Sequence, residues 1–335
     1  MFKLHLQRFA TVEPTVPTSQ IVKPINVTGQ DSVKTTMKPF YEKTLLENAK
    51  NKMVFTPLGK KVAMKGNKIE FRRWNTFAKA LTPLTEGIVP DGQKFGQTSL
   101  EIDTYQHGDY VSLSDRLQLE SFDDVIYGAT EEMGDAEGAT FDTLTRDKIL
   151  TGSAVAYAPK GSTPVTSRAG LDNTAILTPA LINKIATSFR KKKVPTFDGY
   201  YVMVIHPSQS YDLRESAEWK EFHKYADVAP IFKGEIGTLH GFRFIEDANV
   251  KVYRGAEASF GTYGALAMGK DAFVVLDPEG EGMEMIIKDK SEVGGPLEQF
   301  STIGYKFCHG AGITYQERIL RVETGSSLGA DDLAN

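Results

Sequence analysis

The chain has 335 residues, enough for about two packed units with a real core. Hydrophobic residues at 41% and charged residues at 24% exclude wholesale disorder. The formal net charge of -4 excludes the basic excess of a dedicated nucleic-acid binder. Cys308 is the only cysteine, which excludes an intrachain disulfide and a cysteine-based zinc cluster.

The opening MFKLHLQRFA lacks the apolar core of roughly 7–15 residues and the small-residue cleavage site of a secretory signal. No later window approaches the roughly 18 consecutive apolar residues of a membrane span. The expectation is a soluble chain made in the cytoplasm. Residues 1–36 carry Pro14, Pro17 and Pro24 without helical or strand period, predicting an extended arm that orders only against something else. Phe40, Tyr41, Leu45, Leu46 and Ala49 fall at helical spacing and predict a short helix within 37–55.

KKVAM at 60–64 and KIEFRRW at 68–74 flank Lys65-Gly66-Asn67 in the manner of a hairpin. Residues 75–99 then carry Pro83, Pro90 and several glycines with little hydrophobic period. An excursion of that length inside a compact domain is usually functional. The chain returns through SLEIDTY and DYVSLSD, where Leu100 and Ile102, then Val111 and Leu113, alternate as on strands with one buried face.

Ser121, Asp123 and Asp124 supply oxygens suited to capping a long helix over 123–151. Its apolar stripe is imperfect, and Gly128, Gly134 and Gly138 lower the helix propensity. The acidic residues Glu131, Glu132, Asp135 and Glu137 read as a solvated face rather than paired catalytic carboxylates. Residues 152–177, rich in Gly, Ser, Thr and Pro, mark the candidate boundary between two units. Thr178-Pro179 opens a helix in the favoured cap and first-turn order. The helix ends at Arg190-Lys-Lys-Lys193, where positive charge suits a carboxyl terminus and contact with phosphate is the alternative. YYVMVIH, a helix from Ser208 to Glu221, GFRFIED and AFVVLD then alternate as in a mixed α/β unit.

Positive signals for catalysis are weak. GALAMGKDAF at 264–273 falls one residue short of the phosphate-binding loop G-x-x-x-x-G-K-[ST]. Asp271 stands where the magnesium-holding hydroxyl belongs, and Phe273 to Leu276 read as a strand where the loop needs a helix. The stretch therefore reads as a turn into a buried strand, with a nucleotide-binding α/β enzyme using 264–271 as the competing class. No two of the six histidines sit at the spacing that aims both at one zinc from a helix. His206-Pro207-Ser208 reads as a strand end before a helix capped by Ser208. Cys308 and His309, adjacent on a strand, point to opposite faces, so Cys308 reads as a small buried apolar residue rather than a nucleophile. The expectation is no enzyme activity, no catalytic residue, no cofactor and no metal.

Four stretches together resemble the major capsid proteins of tailed bacteriophages, specifically the group typed by the podophage called N-four. They are PLTEGIVPDGQKF at 83–95, YQHGDYVSLSDRLQLESFDDV at 105–125, GEIGTLHGFRFIEDANV at 234–250, and GALAMGKDAF itself. The last is similar to the family's Tyr-Gly-x-Leu-x-x-Gly-Lys-Asp-Ala-Phe. MFKLHLQRFA also resembles the amino termini of such proteins in phages of Gram-positive hosts. The resemblance spans about residues 37–320.

It implies an α+β capsid fold of the type named after the phage Hong Kong ninety-seven. The parts would be an amino-terminal arm (1–36), a short helix (37–55) and an extended loop with flanking strands (56–114). A spine helix with peripheral domain (115–177), an axial domain (178–275), further peripheral and axial strands (276–323) and a tail (324–335) would follow. The implied role is mechanical: hexamers and pentamers of the chain, helped by a scaffolding protein and a portal, close into an icosahedral virion shell. Assembled in the bacterial cytoplasm, that shell encloses double-stranded DNA without sequence-specific binding and involves no membrane. An encapsulin-like compartment is the alternative use of the same fold. Leu81, Leu84, Ile88 and Val89, in a loop with no core of its own, are the expected intersubunit contacts, because only a neighbour can bury them.

Overall fold

A computed structural model describes residues 53–64, 66, 68–75, 77–83, 86, 87, 89, 92–121, 125–223, 235–254, 260–278, 283–293, 297–328, 332, 334 and 335. The expected arm, and the expected helix up to residue 52, lie outside the described residues.

The described elements in chain order are β1 (Lys60–Met64), β2 (Lys68–Trp74), β3 (Gln97–Asp103), β4 (Tyr105–Ser114), α1 (Asp115–Glu120), α2 (Val125–Leu150) and β5 (Val155–Tyr157). Next come α3 (Pro179–Lys191), β6 (Tyr201–Ile205), α4 (Pro207–Glu215), α5 (Ala217–His223), β7 (Glu235–Leu239), β8 (Phe242–Glu246) and β9 (Val252–Tyr253). The chain continues through β10 (Thr262–Met268), β11 (Phe273–Pro278), β12 (Glu284–Lys288), α6 (Lys290–Val293), β13 (Phe300–Ile313) and β14 (Ile319–Thr324).

One sheet has the order β5-β14-β10-β6-β8-β7, with β9 beside the start of β10. All of β6 is buried, which explains why YVMVI shows no polar alternation. Tyr201, Met203 and Ile205 enter a core with Ile182 and Phe189 of α3 and with Phe242 and Phe244 of β8. Val202 and Val204 face a second core containing Leu266 and Met268 of β10, Ile149 and Leu150 of α2, and Phe55 and Phe273. Burying each such large side chain contributes about 1.5–3 kcal/mol, so two-faced burial makes this sheet the main source of stability.

The second sheet is organised by β13, whose 14 residues pair with β4 and β12 along the first part and with β11 along the last. Met133 of α2 packs on Tyr305 and Phe307 of β13, which lays the long helix against this sheet. β2 and β3 form a separate two-stranded arm, from Lys68 opposite Asp103 to Trp74 opposite Gln97.

Three local expectations change. β1 and β2 do not pair with each other: β1 runs parallel to β11, Val62 opposite Leu276, while β2 pairs with β3. Gly66, with φ 104, redirects the chain between them. The helix expected over Ser208 to Glu221 is two helices separated by Ser216. Its cap is His206, whose Nδ1 accepts from Ser208 N–H at 3.2 Å, and His206 N–H in turn donates to Gln209 Oε1 at 3.1 Å. An imidazole nitrogen thus takes the part expected of the serine hydroxyl. α3 does start as read, with Thr178 Oγ1 accepting from Leu181 N–H. Residues 152–177 supply β5, parallel to β14, and place Leu171, Ala175 and Leu177 in the first core.

Candidate assembly surface

The arm begins from a fixed root. On α2 the fully buried Asp142 accepts backbone N–H groups from Val54 and Phe55 at 3.1 and 3.2 Å, tying the incoming chain to the helix before β1 leaves it. Burial pushes the Asp142 carboxyl up, and these bonds, with those from Thr56, pull against that shift.

Beyond the root the arm has little cover. Trp74, Phe77 and Phe95 are each more than half exposed. Phe95 stacks on Trp74 at 4.2 Å and on Phe77 at 5.4 Å between ring centroids. Asn75 N–H donates to Gly96 O at 2.9 Å. Gln93 bonds both the N–H and the carbonyl of Ala78, at 2.8 and 2.9 Å. Ile69, Phe71, Leu100 and Ile102 of the arm's strands pack against Val274 and Leu276, whereas the apolar groups described beyond the strands stay open. Leu81 is 83% and Val89 is 91% exposed, whereas Leu84 and Ile88 lie outside the described residues. The aromatic trio was not among the expected contacts, although its signal was present: three aromatic rings bounding a segment without hydrophobic period. A contiguous open apolar surface of this kind marks an interaction site.

The other candidates resolve into structure. GALAMGKDAF is strand, turn and strand, from β10 into β11. Gly269 N–H donates to Arg318 O at 2.9 Å and Lys270 N–H to Pro195 O at 3.0 Å, so amides that a phosphate would need are already spent. Cys308 is half-buried, not buried as expected, because it sits on the less covered face of β13. His309, on the other face, is buried 3.0 Å from Thr145 Oγ1 and edge-on to Phe141, and burial pushes its pKa down to about 4.

The acidic residues of α2 do not form one solvated face. Glu131 and Glu132 are exposed, Asp135 is half-buried, and Glu137 is fully buried with neither carboxyl oxygen hydrogen-bonded. Residue 137 lies one turn from Met133 and Phe141, which pack toward β13, so helix geometry turns it inward. Burial pushes its carboxyl up to about 8. Near β10, Ser208 Oγ donates to Asp332 Oδ2 at 2.8 Å, and Tyr263 OH also meets that carboxylate. Since His206 Nδ1 accepts from Ser208 N–H, these groups form a structural cap rather than a nucleophile relay. Among the described residues no helix is long and apolar enough to cross a membrane, and no three metal-ligating side chains cluster.

A family model described as phage capsid protein matches residues 108–277. No curated protein matches the sequence. Several solved structures share the fold. The cyanophage Pam1 capsid is 12% identical with a TM-score of 0.64, covering 96% of this chain and 100% of its own. The Ralstonia phage GP4 capsid is 18% identical with a TM-score of 0.63, covering 83% and 89%. The cyanophage P-SCSP1u capsid is 15% identical with a TM-score of 0.62, covering 82% and 89%.

Proposed function

Because this chain belongs to the phage capsid protein family, we propose that its exposed β2–β3 arm joins neighbouring copies into rings that close as an icosahedral shell around double-stranded DNA. The chain is a major capsid protein with the Hong Kong ninety-seven type of fold, and its copies assemble into a capsid. In the proposed shell the rings are hexamers and pentamers. A scaffolding protein and a portal act during assembly in the host cytoplasm, and the wall holds DNA without reading its sequence. The arm is the extended loop, α2 the spine helix, and the seven-stranded sheet the centre of the axial domain.

One observation carries the role of the arm: its apolar side chains, Trp74, Phe77, Leu81, Val89 and Phe95, are open in the single chain. Leaving them in water forfeits about 25 cal/mol per Å² of apolar surface, a gain available only against another surface. A low net charge of -4 suits a wall that must not adhere strongly to the polyanion inside it. The test is electron microscopy of the full chain co-expressed with its scaffolding protein. Closed polygonal particles are expected; monomers and small oligomers at every concentration would overturn the reading.

A further inference from the structure

At the root of the arm, β2, the end of α3 and the turn after β13 enclose a charged groove. Its narrower part, about 260 Å³, is lined by Arg73, Trp74, Lys192, Lys193, Tyr315 and Arg318, with Glu317 at its edge. A wider part of about 620 Å³ shares Arg73, Tyr315, Glu317 and Arg318 and adds Lys60, Arg72 and Asp271. Six cations therefore line one groove against two carboxylates, on a chain whose net charge is -4.

The cations are held in place but only partly neutralised: Arg72 donates to Glu70 at 3.0 Å, while Lys60, Lys192, Lys193 and Arg318 pair with no carboxylate among the described residues. Arg73 and Arg318 both lie over the Tyr315 ring, at 5.1 and 3.7 Å from its centroid. Arg318 Nη1 donates to Lys270 O at 3.0 Å, and Arg73 lies 3.7 Å from Glu317, a distance too long for a hydrogen bond. Arg190 and Lys191 complement the carboxyl end of α3, but Lys192 and Lys193 lie past that helix and form no ion pair among the described residues. Crowded like charges of this kind destabilise the free subunit until an opposite charge covers them.

The same chain carries an opposite imbalance elsewhere. Glu131 and Glu132 are exposed on α2 and likewise form no ion pair among the described residues. We propose that the groove receives the Glu131–Glu132 face of α2 from a second copy of this chain. A contact between two different patches is head-to-tail, and head-to-tail contacts generate rings, whereas one patch meeting itself gives only a closed pair. A polynucleotide in the groove would neutralise the cations and leave the acidic face bare, so a second copy accounts for more. This inference rests on the ring assembly proposed above and names one contact within it.

The test is a charge swap in the full chain, co-expressed with scaffolding protein and read by sedimentation and electron microscopy. K192E/K193E and E131K/E132K should each lower particle yield about tenfold or more, because like charges then meet across the contact. The four-site combination should recover most of the wild-type yield, which no independent folding defect would produce. K192Q/K193Q controls for the helix end and should give particles whose yield no longer falls with added salt. Full particle yield from both double reversals, or no recovery in the combination, overturns the contact. Normal K192E/K193E particles that protect less DNA from nuclease would also overturn it and assign the groove to nucleic acid. Absence of particles from the wild type would instead sink the assembly reading beneath it.

Discussion

Thr56 donates to the same Asp142 oxygen twice, through its backbone N–H at 2.8 Å and its hydroxyl at 2.9 Å, with both residues buried. The pair crosses from the segment before β1 to the middle of α2, so the start of the arm is pinned to the long helix. Asp142→Ala strips the acceptor from four donors, three of them buried, and should cost on the order of 3 kcal/mol of subunit stability, while Thr56→Ala should cost about 1. Urea unfolding followed by circular dichroism checks both. Equal, small losses would show that water replaces the carboxylate freely.

The buried Glu137 predicts an alkaline weakness. Its carboxyl is raised from 4.5 to about 8, so the folded chain holds a proton that the unfolded chain has already released. The stability tied to this neutral group is fully present below pH 4.5 and is lost as pH rises to about 8. One proton corresponds to at most about 1.4 kcal/mol per pH unit across that window. Glu137→Gln has no such titration. Its stability relative to wild type should therefore rise steadily from pH 5 to about 8 and then level. A difference between the two proteins that stays flat with pH would mean Glu137 is solvated or paired.

Arg168 and Glu323 predict a strong anchor for the 152–177 segment. Arg168 donates to both oxygens of the fully buried Glu323, at 2.8 and 2.6 Å, while stacking 3.6 Å from the Tyr253 ring centroid. Arg168→Ala should cost about 1–3 kcal/mol by removing two charged hydrogen bonds, with Arg321, 2.9 Å from the same carboxylate, keeping Glu323 from being left unpaired. Arg168→Lys should restore only part of that, because an ammonium cannot reproduce the planar two-pronged contact. Denaturant midpoints of the three proteins decide it, and a lysine variant as stable as wild type would contradict the forked geometry.

The turn after β10 should depend on its glycine and not on its lysine. A Cβ at residue 269 would stand 2.2 Å from Val194 Cγ1 and 2.7 Å from Pro195 O, so Gly269 is there for close approach. Gly269→Ala should cost about 3 kcal/mol through overpacking, and Lys270→Ala should stay within about 0.5 kcal/mol of wild type. Thermal melting measures the first pair. Calorimetry with ATP and magnesium tests the rest: saturable binding lost in Lys270→Ala would revive the phosphate-loop reading.

Legibility in the sequence followed the range of the forces involved. The long helix, the Thr178 cap and the buried strands were readable because caps and hydrophobic runs act over a few residues. The pairing of β1 with β11 was not, since a parallel partner far along the chain leaves no mark in turn chemistry. Glu137 misled for a related reason: a carboxylate on an irregular, glycine-interrupted stripe looks solvated until β13 is known to cover its face. The expected contacts Leu81 and Val89 do stand open. Trp74, Phe77 and Phe95 escaped because aromatic side chains flanking a loop usually belong to a core, and only the fold shows that no core lies beneath them.

The most direct test of the arm as an intersubunit clamp replaces residues 76–91 by a short Gly/Asn turn. Burial of Leu81, Leu84, Ile88 and Val89 by a neighbour would contribute on the order of 5 kcal/mol per contact before ordering costs, repeated around a closed shell. The shortened chain should keep near-normal circular dichroism, since the described residues of the stretch belong to none of the cores within one chain. Sedimentation of both proteins, each co-expressed with the scaffolding protein, should then show abundant shells from wild type and rare or heat-fragile ones from the replacement. Equally abundant and equally heat-resistant shells would contradict the account, and an unfolded replacement would place the loop in the subunit core instead.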